Sequence, residues 1–196
     1  MRYIFATYNE GKAREIKALF HEAGLSVISL ADTEHAFVPA ETGTTFVANA
    51  IQKATETAAF LRDAGEMDVA VLSDDSGLDI DALDGLLGVD TALFMGDAPQ
   101  VEKNKNILAR MEGVDTRTAK YTCVIACVLP NGKILTTEGH CVGEISREMF
   151  GEGGFGYDPI FFLPEYGKTV AQLSDAEKNK ISHRGKALRA MMEKLV

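Results

Sequence analysis

Short apolar stretches alternate with amphipathic ones along this chain, and that alternation predicts strands interleaved with helices. The predicted strands occupy residues 3–7, 25–30, 69–72, 121–129, 133–138, 140–146 and 160–162. The predicted helices lie between Lys12 and Gly24, from Thr44-Thr45 to Leu61, over 102–112 and over 183–195. The turn Pro130-Asn131-Gly132 predicts a hairpin, whereas the early strands are connected through helices. We therefore expect an α/β protein with a mixed β-sheet and flanking helices, formed by a single domain over residues 1–196.

Composition places the chain among folded proteins. Hydrophobic residues make up 46% of its 196 residues, which excludes the apolar-poor composition of a disordered chain. No apolar run approaches the roughly 20 residues of a membrane span, and the N-terminal residues do not form a signal peptide. Three cysteines without CxxC spacing argue against a disulfide framework or a zinc ribbon. We expect a cytoplasmic protein that has no membrane partner.

Charge is segregated along the chain. With 20 Lys and Arg against 29 Asp and Glu, the formal net charge is −9, and we expect no nucleic-acid partner. Residues 73–97 contain seven aspartates and no Lys or Arg, whereas residues 178–196 contain six Lys or Arg and one Glu. The two segments form either two solvated faces or a cation site facing an anion site, and charge alone leaves both open.

The pair Asp74-Asp75 is the strongest local signal for chemistry. It follows the apolar residues 69–72, so we expect both carboxylates at the C-terminal end of a buried strand, where α/β sheets place ligands. Successive residues of a strand point to opposite sides, so one carboxylate faces the site while the other orients or caps. Paired carboxylates at such a position suit Mg²⁺.

Two further segments favour a phosphate and a flat ring. Residues 7–12 form a strand–loop–helix junction with a lysine, which suits phosphate oxygens, although the spacing is not that of a Walker A loop and an ordinary βα turn is the alternative. Residues 151–156 match GxGxxG, but a strand follows where a dinucleotide site needs a helix. Phe155, Tyr157 and Asp158 could instead hold a ring, and a tight surface turn is the alternative.

The start of the last predicted helix carries a third group of polar residues. Ser182 is expected to cap this helix, with His183 and Arg184 in its first turn and Lys178 just before it. Alone, a single histidine is usually structural and an arginine on a terminal helix is usually solvated.

Taken together, five motifs resemble those of the inosine triphosphate pyrophosphatase family, over nearly the whole chain. They are Thr7-x-Asn9-x-Gly11-Lys12, Glu41-Thr42-Gly43-x-x-Phe46-x-x-Asn49-Ala50-x-x-Lys53-Ala54, Asp74-Asp75-Ser76-Gly77-Leu78, Gly153-Gly154-Phe155-Gly156-Tyr157-Asp158-Pro159 and Lys178-x-x-x-Ser182-His183-Arg184. Each motif is weak alone, but the five in this order are specific. The resemblance implies Mg²⁺-dependent hydrolysis of ITP, dITP and XTP to the monophosphate and pyrophosphate. It also implies a curved sheet with two lobes around a nucleotide cleft, and a homodimer.

The resemblance also implies a role for each matching residue. Asp75 would be the catalytic base, and the Mg²⁺ ligands would be Glu41 and Asp75, with Asp74 close by. The phosphates would be held by Thr7, Asn9 and Lys12, helped by Lys53 and Lys178. Tyr8, Glu10 and Gly11 of the same turn would also be substrate-binding residues. Contacts to the rest of the substrate would come from Ser76, Phe155, Gly156, Tyr157, Asp158, Ser182, His183 and Arg184.

Three positions depart from the family pattern. Tyr8 stands where the family usually has glycine, Asp90 where it has tyrosine, and Leu93 where it has arginine. Two other functions stay open: a pyrophosphatase for other modified nucleotides, and a nucleotide-binding module without turnover. The retained Ser182-His183-Arg184 disfavours the first alternative, and the retention of Lys12, Glu41 and Asp75 together disfavours the second.

Overall fold

A computed structural model describes residues 1–84 and 86–195, so the last residue of the basic segment 178–196 lies outside it. Its strands are β1 (Arg2–Phe5), β2 (Val27–Ser29), β3 (Val69–Ile80), β4 (Thr118–Val128), β5 (Ile134–Ile145), β6 (Phe161–Leu163) and β7 (Lys168–Thr169). Its α-helices are α1 (Glu10–Glu22), α2 (Phe46–Asp63), α3 (Gln100–Arg110), α4 (Asp175–Ile181) and α5 (His183–Leu195). None of these helices combines the length and hydrophobicity that crossing a bilayer requires.

The strands form one mixed sheet in the order β2-β1-β3-β4-β5-β6-β7. β1 pairs in parallel with both β2 and β3, and every later neighbour is antiparallel. The predicted mixed α/β sheet is therefore confirmed, as is the hairpin at residues 130–132 between β4 and β5. The two-lobed shape implied by the resemblance stays a prediction.

Helices cover both faces of the sheet. On one face, α1 and α5 pack on alternate residues of β3 and β4, with Phe20, Leu72 and Leu188 in one buried cluster. On the other face, α2 packs on the intervening residues of β4, with Ala50 and Val124 in a second cluster. The Thr45 side chain caps α2 by accepting a hydrogen bond from the Ala48 amide at 3.1 Å, so this helix begins at the Thr44-Thr45 pair where the sequence predicts it.

Two strands are longer than predicted. β3 does not end at residue 72 but continues to Ile80, because β4 pairs with it from Val71 to Ile80. Asp74 and Asp75 therefore lie inside a strand, and the prediction that they end it is wrong. The two predicted strands 133–138 and 140–146 are one strand, β5, which runs through Gly139 while paired with β4. Helix α4 was not predicted.

The position of Asp74 and Asp75 is set instead by the end of β1. β1 pairs with β3 only as far as Phe5 and Leu72, after which the chain turns into α1. Further along, the Thr91 hydroxyl accepts a hydrogen bond from the Leu78 amide at 2.9 Å and covers that edge again. In the described part of the chain no strand pairs with residues 73–76 on this side, although Ser73, Asp74 and Asp75 are buried, and we call this stretch between the α1 face and the α2 face the uncovered edge. Crevices of this kind, beyond the carboxyl end of a parallel strand, are where α/β sheets bind ligands.

Candidate active site

A cavity of about 160 Å³ lies on the α1 and α5 face, beside the uncovered edge of β3. Ten of the predicted site residues line it: Asn9, Lys12, Ser76, Phe155, Gly156, Tyr157, Asp158, Lys178, His183 and Arg184. Sequence reasoning missed the other lining residues, which are Gly77, Thr91, Ala92, Gln100, Lys103 and Tyr121. Residues from seven separate segments of the chain, 9–12, 76–77, 91–92, 100–103, 121, 155–158 and 178–184, therefore meet at one cavity.

The first turn of α1 supplies hydrogen-bond donors to this region. The Asn9 side chain caps α1 by accepting from the Lys12 amide at 3.0 Å, and the Thr7 hydroxyl accepts from the Asn9 amide at 3.1 Å. The Lys12 ammonium contacts the Asp74 carboxylate at 2.9 Å. A helix N-terminus with a lysine beside it is suited to an anion. Gly11 is required here, because a Cβ atom at that position would lie 2.6 Å from the Phe155 ring.

Arg184 is the centre of a buried ion-pair network. Its Nε and Nη2 atoms contact Asp74 Oδ2 at 3.2 and 3.1 Å, and its Nη1 contacts Glu15 Oε2 at 2.6 Å. A second Nη2 hydrogen bond reaches the Ser76 hydroxyl at 3.1 Å. Four of the five N–H groups of a guanidinium are therefore engaged, one on Nε, one on Nη1 and two on Nη2. One guanidinium N–H, on Nη1, is left for a ligand, and the predicted contact of Arg184 with the substrate stays a prediction.

Glu15 and Asp158 together hold Lys178 under the ring of Phe155. The Lys178 ammonium contacts Glu15 Oε1 at 2.7 Å and Asp158 Oδ2 at 2.6 Å. Its nitrogen lies 4.3 Å from the Phe155 ring centroid, within range of a cation–π interaction. Asp158 Oδ2 also accepts from the Phe155 amide at 2.8 Å, which fixes the turn that presents this ring.

His183 begins α5 and is held by stacking. Its imidazole lies 4.6 Å from the Tyr121 ring at an interplanar angle of 11°. Burial, with the nearby Arg184 and Lys178 cations, lowers the pKa of His183 well below its usual value, so the imidazole is neutral near pH 7. The predicted cap is confirmed, since the Ser182 hydroxyl accepts from the Gly185 amide at 3.1 Å.

A second cluster lies on the opposite, α2 face of β3. Asp75 Oδ2 accepts a hydrogen bond from the Asn49 side-chain amide (Nδ2) at 3.0 Å, and Asp75 Oδ1 lies 3.3 Å from the Lys53 ammonium. The same ammonium contacts Glu41 Oε1 at 2.6 Å. Lys53 is buried, whereas half of the Glu41 side-chain surface is exposed to solvent. The predicted metal ligands Glu41 and Asp75 are therefore brought together, and both lie beside Lys53.

The two aspartates have opposite electrostatic environments. Burial raises the pKa of Asp75, and the Glu41 and Asp74 carboxylates add to the rise, against the partial offset from Lys53 and Asn49. Burial also acts on Asp74, but Lys12, Arg184 and Lys53 outweigh it and hold the pKa of that carboxyl below its usual range. Asp75 is therefore the better proton acceptor, and Asp74 stays ionised.

The donor set at Asp75 fits one kind of metal. Across residues 1–84 and 86–195, no group of three or more His, Cys, Asp or Glu side chains could hold a metal ion. Two neighbouring carboxylates suit Mg²⁺, which keeps several waters and is usually held by one or two carboxylates together with substrate phosphates. The Asp74 oxygens already accept four hydrogen bonds, one from Lys12, two from Arg184 and one from Ser76, whereas Asp75 accepts two, so Asp74 has less capacity left for a metal.

This chain is similar to known proteins over nearly its whole length. The sequence profile of the Ham1 family matches residues 3–194. The chain belongs to the Ham1 family. A dITP/XTP pyrophosphatase from Desulforamulus reducens is 47% identical over 196 residues, covering 98% of this chain and 94% of the relative. One from Geobacillus kaustophilus is 44% identical over 193 residues, covering 97% of this chain and 92% of the relative.

Solved Ham1 structures share the fold. The Ham1 protein of Staphylococcus aureus superposes with a TM-score of 0.84 at 34% identity, covering 100% of this chain and 98% of that one. The HAM1 protein of Coxiella burnetii gives a TM-score of 0.81 at 37% identity with the same coverage. The family resemblance drawn from the five motifs is thereby confirmed.

Several predicted residues of this Ham1 protein lie outside the cavity. Tyr8 and Glu10 line a separate surface pocket with Arg14 and Asp32. The Tyr8 hydroxyl donates to the Phe37 carbonyl at 2.9 Å and accepts from the Phe37 amide at 3.1 Å. Leu93, the departure from arginine, is 72% exposed.

Two residues of the Ham1 site were missed by sequence reasoning or left without a role. Glu15 is 5% exposed and contacts both Arg184 and Lys178. Its signal in the sequence is its position in the apolar stripe of α1, one turn from Leu19, where a solvated glutamate is not expected. Asn49 belongs to a matched motif, and its role as the amide donor to Asp75 becomes visible only in the fold.

Proposed function

We propose that this protein hydrolyses nonstandard purine nucleoside triphosphates, namely ITP, dITP and XTP, to the monophosphate and pyrophosphate. The observation that carries this proposal is the uncovered edge of β3 at residues 73–76. An aromatic and basic cavity lies on one side of that edge, and the Asp75, Glu41 and Lys53 cluster lies on the other. A nucleotide that crosses the edge would present its base to the cavity and its phosphates to the carboxylates. The dITP/XTP pyrophosphatase relatives support this reaction.

The phosphate chain would be bound where the first turn of α1 meets β3. The backbone N–H groups of this turn and the Lys12 ammonium supply donors and charge on one side of the edge. Lys53 supplies a second ammonium on the other side. Both lysines lie against carboxylates in this structure, so binding a triphosphate would replace part of those ion pairs with phosphate contacts.

Mg²⁺ would be held by Glu41 and Asp75 together with the phosphates. When bound, it would neutralise phosphate charge and polarise the phosphoryl oxygens. Asn49 and Lys53 keep the Asp75 carboxylate in place by contacting one oxygen each. The outward-facing Glu41 closes the cluster on the solvent side.

Asp75 would act as the general base. A water attacks the α-phosphorus, Asp75 accepts its proton, and the bond from the α-phosphorus to the bridging oxygen breaks to release pyrophosphate. The raised pKa of Asp75 suits proton transfer near neutral pH. Asp74 is unsuited to that step because Lys12 and Arg184 hold it ionised.

The base would be selected by its 6-oxo group. We propose that the purine stacks near Phe155 and that N–H donors of the first turn of α5, at His183 and Arg184, meet the 6-oxygen. The first N–H groups of a helix have no partner within it, so they can serve an acceptor. Adenine carries a 6-amino donor, and a donor facing a donor is a mismatch that can cost 10⁴-fold or more, by order of magnitude.

A substrate panel tests the proposal. Pyrophosphate release with Mg²⁺ is measured for ITP, XTP, GTP, ATP and dUTP. We expect ITP and XTP to be good substrates, GTP intermediate, and ATP and dUTP poor. Preference for dUTP would favour the modified-pyrimidine alternative, and binding of ITP without pyrophosphate release would favour the non-catalytic module. Comparable kcat/KM for ATP and ITP would contradict the base-reading role of the α5 turn.

The remaining expectations are also proposed here. On the family resemblance, we propose that residues 1–196 act as one domain and that the protein is a homodimer. The three cysteines are free and buried, which supports our proposal that the protein is located in the reducing cytosol. A sizing experiment with light scattering tests the dimer.

A further inference from the structure

Lys103 lies in the wall of the candidate active site, although no motif in the sequence pointed to it. It belongs to the first turns of α3, is 8% exposed and lines the same cavity as Lys12, Lys178 and Arg184. Lysine is rarely this buried unless its ammonium is paired. The burial of Lys103 therefore needs a reason.

The other three cations of the cavity are paired with carboxylates. Lys12 contacts Asp74, Lys178 contacts Glu15 and Asp158, and Arg184 contacts Glu15 and Asp74. Three cations are thus balanced by three carboxylates. Among residues 1–84 and 86–195, the Lys103 ammonium makes neither an ion pair nor a hydrogen bond, in contrast to Lys105, which contacts Glu102 at 2.9 Å on the same helix. Lys103 is the surplus positive charge of this cavity.

The position of α3 places Lys103 at the base end of the cavity. Asn104 donates a hydrogen bond from its side chain to the Gly156 carbonyl at 3.2 Å, and Gln100 donates to Asn104 at 3.1 Å. Residues three and four apart share one helix face, so Gln100, Lys103 and Asn104 face the turn at residues 155–158 together. The carboxylate cluster at Asp75 lies on the other face of β3.

A ligand oxygen would satisfy the chemistry of this position. An ammonium has three donors and no acceptor. The Lys103 nitrogen is not one of the fully buried, unpaired side-chain atoms of the described residues, so it opens into the cavity, where a ligand oxygen can take the place of water. The three 6-oxo purines differ at the 2-position: hypoxanthine carries hydrogen, guanine an amino donor and xanthine a second oxo acceptor. Xanthine is also the most acidic of the three rings, so it carries the most negative charge near neutral pH.

We infer that Lys103 is a specificity-determining residue that donates a hydrogen bond to the 2-oxo group of xanthine. This inference rests on the proposed function and deepens it, because it assigns the two exocyclic oxygens of xanthine to different elements. The α5 turn receives the 6-oxygen, and α3 receives the 2-oxygen. The 2-amino group of guanine is a hydrogen-bond donor, so it would face the Lys103 ammonium, a second donor, and no hydrogen bond could form between them.

The test compares Lys103→Met with Lys105→Met. Methionine keeps the length of the buried stem and removes the charge and the donors, and Lys105 is an exposed lysine two residues along the same helix. kcat/KM is measured for XTP, ITP and GTP on both variants and on the wild type, after the melting temperature has shown that each is folded. We expect Lys103→Met to lower XTP turnover by about 10- to 100-fold, the value of one charged hydrogen bond. ITP should change by less than about threefold, and Lys105→Met should match the wild type.

Two outcomes would overturn the inference. An equal loss for XTP, ITP and GTP would mean that Lys103 contacts the phosphates or ribose that all three share. Unchanged XTP turnover would mean that Lys103 contacts no part of the nucleotide. Binding of xanthosine and inosine monophosphates to the same proteins separates this inference from the proposed function. Selective loss of xanthosine monophosphate affinity supports the Lys103 contact even if the wild type releases no pyrophosphate, a result that would contradict only the proposed reaction.

Discussion

Asp74 and Asp75 are neighbours in the chain, yet their carboxylates lie on opposite faces of β3 and are held by different partners. Asp74 contacts Lys12 of α1 and Arg184 of α5, whereas Asp75 contacts Asn49 and Lys53 of α2. The alternation of side chains along a strand produces this separation. Asp74 thereby ties α1 and α5 to the sheet, and Asp75 keeps the raised pKa of a proton acceptor.

Asp75→Asn should leave the protein folded and remove nearly all turnover. The amide keeps the shape of the carboxylate but cannot accept the proton of the attacking water. Loss of a general base costs about 10²- to 10⁴-fold, and weaker Mg²⁺ binding would add to it. Steady-state pyrophosphate release from ITP measures the effect, with circular dichroism to show that the fold is retained.

Asp74→Asn is the matched comparison, and its effect should fall mainly on stability. Arg184 and Lys12 would each lose a carboxylate, and breaking a buried ion pair costs about 3–5 kcal/mol. If Asp74→Asn abolished turnover in a fully stable protein while Asp75→Asn stayed active, the two roles would have to be exchanged.

The acidic limb of the pH–rate profile should lie above the ordinary aspartate pKa of about 3.9. Because the pKa of Asp75 is raised, its carboxylate is lost as pH falls through that raised value, and kcat/KM falls with it. The Asn49 hydrogen bond lowers the pKa of Asp75, so Asn49→Ala should move the limb to still higher pH. Profiles of kcat/KM for wild type and Asn49→Ala with ITP at sub-saturating Mg²⁺ check this, because bound Mg²⁺ would itself lower the pKa of Asp75, and an unmoved limb would show that another group controls it.

Glu15→Gln should destabilise the protein. It removes the counterion that Arg184 and Lys178 share, at a cost of about 3–5 kcal/mol by the same ion-pair argument. Burial alone would raise the pKa of Glu15, but Arg184 and Lys178 outweigh it and lower that pKa. The stability from Glu15 is therefore present above its unfolded pKa and lost as pH falls through its lowered folded pKa. Denaturant unfolding at neutral and acidic pH should show the difference between wild type and Glu15→Gln shrinking as the pH falls.

Tyr8→Phe should have a small effect, because the Tyr8 hydroxyl bonds the Phe37 backbone and lies away from the cavity lining. Phe37 stacks on Phe60 of α2 at 4.6 Å, so Tyr8 links the turn before α1 to α2. Losing one hydrogen bond costs about 1 kcal/mol of stability. If that whole free energy also raised the barrier to catalysis, kcat/KM would fall about fivefold. A loss of 100-fold or more for ITP would restore Tyr8 to the substrate-binding residues that the sequence predicts.

Four of the five α-helices of the described residues and the hairpin were predictable from periodicity and turn residues, but α4 and the full lengths of β3 and β5 were not. Asp74 and Asp75 resemble loop residues locally, and they fit in a strand only because lysines and Arg184 from distant segments pair with them. Gly139 resembles a strand break. In the fold it lets α5 approach β5, since a Cβ there would meet the His183 carbonyl oxygen.

The carboxylate pair and most cavity residues were predictable because they belong to the five motifs that follow one another along the chain in the family's order. Glu15 and Lys103 were not assigned, because a charged residue on a helix usually faces solvent and local sequence carries little sign of the contrary. Only the packing of α1 and α3 against the cavity makes them part of the site.

Hydrolysis of XTP in ¹⁸O-labelled water tests the central claim most directly. If water attacks the α-phosphorus with Asp75 as base, the wild type should form xanthosine monophosphate and pyrophosphate in equal amounts. The label should appear in the monophosphate alone, and Asp75→Asn should form neither product at a comparable rate. Label in the pyrophosphate, release of inorganic phosphate with a diphosphate product, or undiminished turnover by folded Asp75→Asn would contradict the account.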